Sequence, residues 1–395
     1  MRFALMVIVL SLGLLFFGCA GSAQGNQPAV NVPVQAPAPQ VQPAPQAQQQ
    51  TPVPQVQAAP AKNNTTATAE QPKAPVENKT KLILEKMKRG TVDSSFIVPI
   101  YDAEKAYDGT TLLPDNHDLS NPRIIEVNML GEVIWEYKLP SNMKQYTNPG
   151  FDAEMLENGN ILFTLPKKGV YEINRAGQIV WSYANTKVSH DADRLPNGNT
   201  LIVYGAFDTK EDAQAKEVNP AGKVVWSYYA KDYFGSNPAY KDISQEGWTH
   251  TNAATRLANG NTMVSLRNFN LLAEVDSQGK VVRTIESSEF VAQHDPAYLP
   301  NGNILFATHT VPQMAVEMDA NKTVVWRFAV KEKKAWPVRD ANRLPNGNTL
   351  VTASDRILEI TPDGEIVWEF ALNGITFTSQ MEYASRGFYK AERLS

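Results

Sequence analysis

Four of the five histidines in this 395-residue sequence, His190, His250, His294 and His309, stand at set distances from a recurring Asn-Gly-Asn turn, in company with Asn252, Arg267 and Arg339. Counting back eight residues from the turn glycines at 109, 159, 198, 260, 302 and 347 reaches Tyr101, Phe151, His190, Asn252, His294 and Arg339. The next column reads Asp102, Asp152, Asp191, Ala253, Asp295 and Asp340, aspartate in five of six copies. A residue common to nearly every copy belongs to the scaffold, so these aspartates are expected to bond backbone groups of their own or a neighbouring copy. The variable column is where chemistry can differ from copy to copy. His250 lies two residues before Asn252 in "WTHTN", and an extended strand would point both side chains the same way. Seven residues after the turn glycine stand Arg267 in the fourth copy and His309 in the fifth. A structural role satisfied by backbone is the default for any single histidine; it is their gathering in two columns that suggests a site.

Three imidazoles on successive copies could ligate zinc, but a catalytic metal site needs fixed ligands and a supporting shell. Arg267 in the group opposes a cation and favours an anion, because a guanidinium repels metal and forks onto sulfate, phosphate or carboxylate. One histidine acting as nucleophile, with its neighbours and the arginine holding an oxyanion, is the more coherent chemistry, and no metal is expected. A nucleotide-binding GxxxxGK[ST] loop is not found: "AGKVV" and "QGKVV" lack its Ser/Thr and sit in hairpin patterns, so no cofactor is expected.

The elements that must position these residues are repeats. The turn recurs about every 48 residues, in the range of propeller blades. Each turn precedes a β-branched run and then a second hairpin, as in "VYEINRAGQIVWSY" and "ILEITPDGEIVWEF", so each unit is two hairpins. Asx-Gly between apolar runs predicts two-residue turns with both central residues at positive φ. Trp135, Trp181, Trp226, Trp326 and Trp368 share one column in the last strand, with Arg283 in the fourth copy, a stripe suited to packing between neighbouring units. The fold expected is all-β: a six-bladed β-propeller of four-stranded antiparallel blades over residues 85–395.

The N-terminus reads "MRFALMVIVLSLGLLFFGCAGS", one arginine, an apolar run too short for an ordinary membrane span, and the lone cysteine, Cys19. This resembles the lipobox of exported lipoproteins, which implies a signal peptide over 1–19, acylation of Cys19, and an extracytoplasmic, membrane-anchored protein. Residues 20–84, rich in Pro, Gln and Ala, bury too little apolar surface to order and are expected to form an extended tether. A formal net charge of −4 with mixed signs argues against a nucleic-acid partner, and "KEKK" at 331–334 suits a solvated loop.

"WTHTNAATRLANGNTMVSLRNFNLLAEVD", "HDADRLPNGNTLIVYG" and "QHDPAYLPNGNILFATH" resemble the six-bladed arylsulfate sulfotransferases of bacteria and archaea, across roughly residues 95–395. The resemblance implies transfer of a sulfuryl group from a phenolic sulfate ester to a phenol without a nucleotide donor. It makes His294 the nucleophile; His250, Asn252 and Arg267 the binders of sulfuryl oxygens; and His190 an aid to binding or proton transfer. Arg339 and His309 are added cations or imidazoles near the substrate for which it supplies no role, and Trp248 and Trp336, outside the blade column, could stack on an aryl ring or pack in loops. The second hairpin also resembles repeats of quinoprotein dehydrogenases and of the lipid-anchored propeller that scaffolds outer-membrane protein assembly, so a binding scaffold is the competing expectation. Six units and the absence of adjacent cysteines count against a quinoprotein.

Overall fold

A computed structural model describes residues 76–148, 150–244, 246–309, 314–329 and 337–395. Cys19, the signal-like segment, most of the tether, the 331–334 lysines and Trp336 lie outside the described residues. A helix, Val76–Lys86, occupies the last part of the segment expected to be extended.

The described residues form six antiparallel sheets, the blades of a six-bladed propeller. The innermost strands of blades two to six are Asp152–Met155, Ala192–Arg194, Thr251–Arg256, His294–Tyr298 and Val338–Arg343. Successive blades meet through these strands and the ones beside them. The expected turns form with a different geometry. Gly198 donates to the Leu195 carbonyl and Leu195 to the Asn199 carbonyl, and only the glycine takes positive φ. That is a type I turn closed by a left-handed glycine bulge, and not a two-residue turn with two positive φ values.

The reason for the Asn-Gly-Asn signature lies in its side chains. Asn197 and Asn199 both donate to Glu217 of the third strand, as Asn158 and Asn160 do to Glu172, and Asn301 and Asn303 to Glu317. The same glutamates take an arginine from the next blade: Arg194 on Glu172 at 2.9 Å, Arg256 on Glu217 at 2.6 Å, Arg343 on Glu317 at 2.5 Å. Each of these arginines lies over the tryptophan of the preceding blade. The indole N–H in turn donates to a carbonyl in the next blade's second hairpin, Trp135 to Arg175, Trp181 to Pro220, Trp226 to Asp276, Trp326 to Pro362 and Trp368 to Met129. The tryptophan column is therefore an inter-blade staple. Arg283, its substitute in blade four, instead bonds Glu274 and the Tyr298 hydroxyl of blade five.

Ring closure departs from the sequence reading. Phe96–Tyr101 pairs with the outermost strand of blade six, Ile366–Leu372, so Tyr101 and Asp102 sit on the rim and not at the axis. The inner strand of blade one is the end of the chain, Glu392–Leu394, paired to Thr110–Leu112. Arg393 falls in the staple position, bonding Glu359 of blade six and lying over Trp368. This register puts Tyr389 in the variable column and Lys390 in the aspartate column. Gly109, at φ +150°, leaves no room for a side chain, since a Cβ would lie 1.9 Å from the Leu394 carbonyl oxygen.

Candidate functional site

The variable column does converge. The His190 and His250 rings are 4.8 Å apart, His294 and His309 stack at 4.2 Å with planes 22° apart, His190 and Tyr389 lie at 5.9 Å, and the Arg339 guanidinium is 4.9 Å over the Tyr389 ring. Irregular backbone makes this possible. Asn252 and Arg339 sit where strand pairing skips a residue, and a further bulge falls between His294 and Ala297. His250, Ala292 and Asp295 take positive φ of 46°, 47° and 45°, conformations that cost energy and that cluster where side chains are aimed. His250 and Asn252 thus reach the site from a left-handed residue and a bulge, not from alternate positions of one extended strand. Gly205 permits the close approach of blade four: a Cβ there would be 2.0 Å from the Thr251 carbonyl oxygen.

The ring nitrogens are sorted by backbone carbonyls. His294 Nδ1 faces the Ala292 oxygen at 2.9 Å and His250 Nδ1 the Glu246 oxygen at 2.8 Å, so in each neutral ring Nδ1 donates and Nε2 keeps its lone pair. The backbone of Val338 holds the His309 ring, and His309 Nε2 is buried with no partner among the described residues. His190 Nδ1 meets the Ser189 hydroxyl, which itself accepts the Ala206 N–H; its own proton is free to point at the ring, leaving N–H at His190 Nε2. All four rings are held in the neutral form. Burial, then neighbouring positive groups, pushes His190 and His294 well below the usual imidazole range, His250 to about 4 with Arg267 beside it, and His309 to about 3.

Arg267 opens a 3-10 turn after strand Thr262–Leu266; its Nη1 bonds Glu246 and Asn268, and its Nε is buried without a partner. Asn252 donates to the Gln293 carbonyl at 2.7 Å while its own Oδ1 is unpartnered. The Asn252 amide thus turns its N–H inward to the Gln293 carbonyl and leaves an acceptor, not a donor, free. Arg339 spends one amine on the carbonyls of Tyr383 and Ala384, both at 2.7 Å, fastening the helix Gln380–Ser385 to the column. Trp248 is not a ligand platform: it is buried in the loop core against Phe269, its N–H on the Tyr240 carbonyl at 2.6 Å.

Four residues of the site escaped the sequence reading. Tyr389 and Lys390 come from "YKAER" at 389–393, which matches the "HDADR" and "RDANR" of other inner strands. Lys390 Nζ lies 2.7 Å from Asp191, 3.3 Å from Asp295 and 3.4 Å from Asp152, so the aspartate column binds an axial ammonium as well as backbone such as the Ala254 N–H. Asp208, buried between blades, accepts from the backbone N–H of Thr249 and His250, the Thr249 hydroxyl and Gln214, and so fixes the strained His250 turn. Glu246 ties Arg267 to the His250 carbonyl partner. No local motif marks the last two.

Residues 100–289 match the family model described as Arylsulfotransferase (ASST). No curated protein matches the chain. Among solved structures, a protein of unknown function from Bacteroides caccae is 20% identical with a TM-score of 0.49, covering 67% of this chain and 93% of that one. A catalytically inactive virginiamycin B lyase from Staphylococcus aureus with quinupristin is 12% identical with a TM-score of 0.44, over 71% and 89%. BamB from Moraxella catarrhalis is 10% identical with a TM-score of 0.37, over 69% and 83%.

Proposed function

We propose, from the premise that residues 100–289 form an arylsulfotransferase-family domain, that this protein moves a sulfuryl group from a phenolic sulfate ester to a phenol through a sulfated His294. The observation that carries the reading is one cluster holding an imidazole lone pair, on His294 Nε2, within electrostatic reach of the Arg267 guanidinium. Attack by Nε2 on sulfur forms an N–S bond as the aryl S–O bond breaks with its electron pair on the aryl oxygen; the proton stays on Nδ1, donated to the Ala292 carbonyl, and leaves the ring cationic beside the bound anionic oxygens. A phenol then displaces the imidazole. Division into two displacements lets one site serve donor and acceptor in turn. Arg267 and His190, whose Nε2 carries the ring proton, offer fixed donors to the sulfuryl oxygens, and these act most strongly because the site is buried; His250 lies beside them, 4.8 Å from His190.

The test is transfer from p-nitrophenyl sulfate to phenol by the full chain, with ping-pong kinetics and radiolabelled sulfur retained on the protein when the acceptor is withheld. His294→Ala should lose both. A folded protein inert on a broad panel of aryl sulfates refutes the activity. Export and anchoring through Cys19 are part of the same proposal, and fatty-acid labelling that survives Cys19→Ser would overturn the anchor.

A further inference from the structure

Neither the family resemblance nor the cluster's anion-binding groups assign a task to His309. It stands in blade five where blade four has Arg267, and its ring stacks on the nucleophile at 4.2 Å. One ring nitrogen is held by the backbone of Val338, and the other, Nε2, is buried without a hydrogen-bond partner among the described residues. A histidine kept only to wedge His294 in place needs no open nitrogen, and burying one without a partner costs stability. The stack holds the His309 ring face to face with that of His294, planes 22° apart, so the two rings share one side of the cluster.

We propose that His309 is a catalytic residue, the carrier that protonates the departing aryl oxygen and later takes the acceptor's hydroxyl proton. This rests on the sulfuryl-transfer reading. In the first half-reaction the N–S bond forms at His294 Nε2, the S–O bond breaks with its electron pair on the aryl oxygen, and that oxygen takes the proton from His309 Nε2. In the second, the acceptor oxygen bonds sulfur, its proton passes to His309 Nε2, and the N–S pair returns to His294. The proton His309 needs is taken from solvent as the donor binds: burial first, then Arg267 and Arg339, disfavour it, and the ester's negative charge acts in its favour. It departs with the product, so the cycle closes without a cofactor. Because donor and acceptor are both phenols, the group that assists one half must assist the other.

The experiment compares kcat/KM for p-nitrophenyl sulfate and unsubstituted phenyl sulfate, with one acceptor, in wild type, His309→Gln and His309→Ala. Nitrophenolate leaves without a proton and phenolate does not, so each variant should lose about 10²–10⁴-fold on phenyl sulfate and much less on p-nitrophenyl sulfate. The ratio between donors is taken on one preparation, so a reduced folded fraction cancels. Equal losses on both donors, or none on phenyl sulfate, would overturn the role of His309. A wild type that turns over neither donor would instead overturn the sulfuryl-transfer reading.

Discussion

Replacing Lys390 by Met should destabilise the protein more than any single change in the histidine cluster, and the loss should depend on pH. Lys390 is buried, with Asp191 at 2.7 Å, Asp295 at 3.3 Å and Asp152 at 3.4 Å, and Asp340 also acts on it. Removing one partner of a buried ionic group leaves the others uncompensated, at roughly 3–5 kcal/mol. Spread over a domain of this size that is on the order of 6–15 °C in Tm. Burial pushes Asp152 up to about 7 even with the ammonium present, and Asp191 and Asp340 also rise. A carboxyl whose folded pKa exceeds its unfolded value of about 3.9 binds more protons when folded, so stability falls as pH rises between the two values. Without Lys390 the folded values rise further and that window extends above neutrality. At low pH the aspartates are protonated in both proteins and the wild type must bury an unpaired ammonium. The deficit should therefore be largest near pH 8, and shrink or change sign toward pH 4. Thermal melts across pH 4–8 measure it; a Lys390→Met protein as stable as wild type at pH 8, or a gap that widens in acid, would refute the argument.

Asp208→Ala strips partners from Thr249 and His250, so a loss of about 2–4 kcal/mol in urea unfolding is expected together with a fall in kcat, because the His250 turn is no longer held. With p-nitrophenyl sulfate, kcat/KM should stay level from pH 8 down to about 5 and not fall near 6.5. The sign follows from imidazoles whose pKa is lowered, His250 to about 4, so that the neutral form persists in mild acid; an acid limb centred near 6.5 would contradict it. Trp181→Phe keeps a ring but removes the N–H donated to Pro220 at 2.9 Å, and should cost about 0.5–1.5 kcal/mol with activity unchanged.

The blades were legible because each repeat states its own hydrogen bonds: the turn asparagines and the third-strand glutamate recur together, and so do tryptophan and the next blade's arginine. Turn geometry was less legible, since Asn-Gly serves both a two-residue turn and a type I turn with a glycine bulge. Closure misled because "YDAEK" at 101–105 and "YKAER" at 389–393 both fit the inner-strand pattern, and a ring can be closed from either end of its chain. Only Arg393 can complete the staple with Glu359, since Lys105, the residue at that place in the other segment, bonds Glu365 at the rim. The histidine columns were readable from spacing alone. Asp208 and Glu246 were not, because a residue that acts by holding a loop from another blade leaves no periodic trace.

Closure from the C-terminal end has a chemical consequence. The strand that completes blade one also supplies Tyr389 and Lys390, so the floor of the site exists only after the whole ring has formed. Lys390 offsets the charge of the aspartates it bonds, and burial first, then the charges of Arg267, Arg339 and Lys390, keeps His190 unprotonated. A bare ring of aspartates would do the opposite: it would raise the imidazoles' proton affinity and repel an anionic ester. The axial lysine thus lets one architecture combine neutral, nucleophilic imidazoles with a potential that accepts an anion, two requirements that histidines and arginines alone would meet only at the expense of each other.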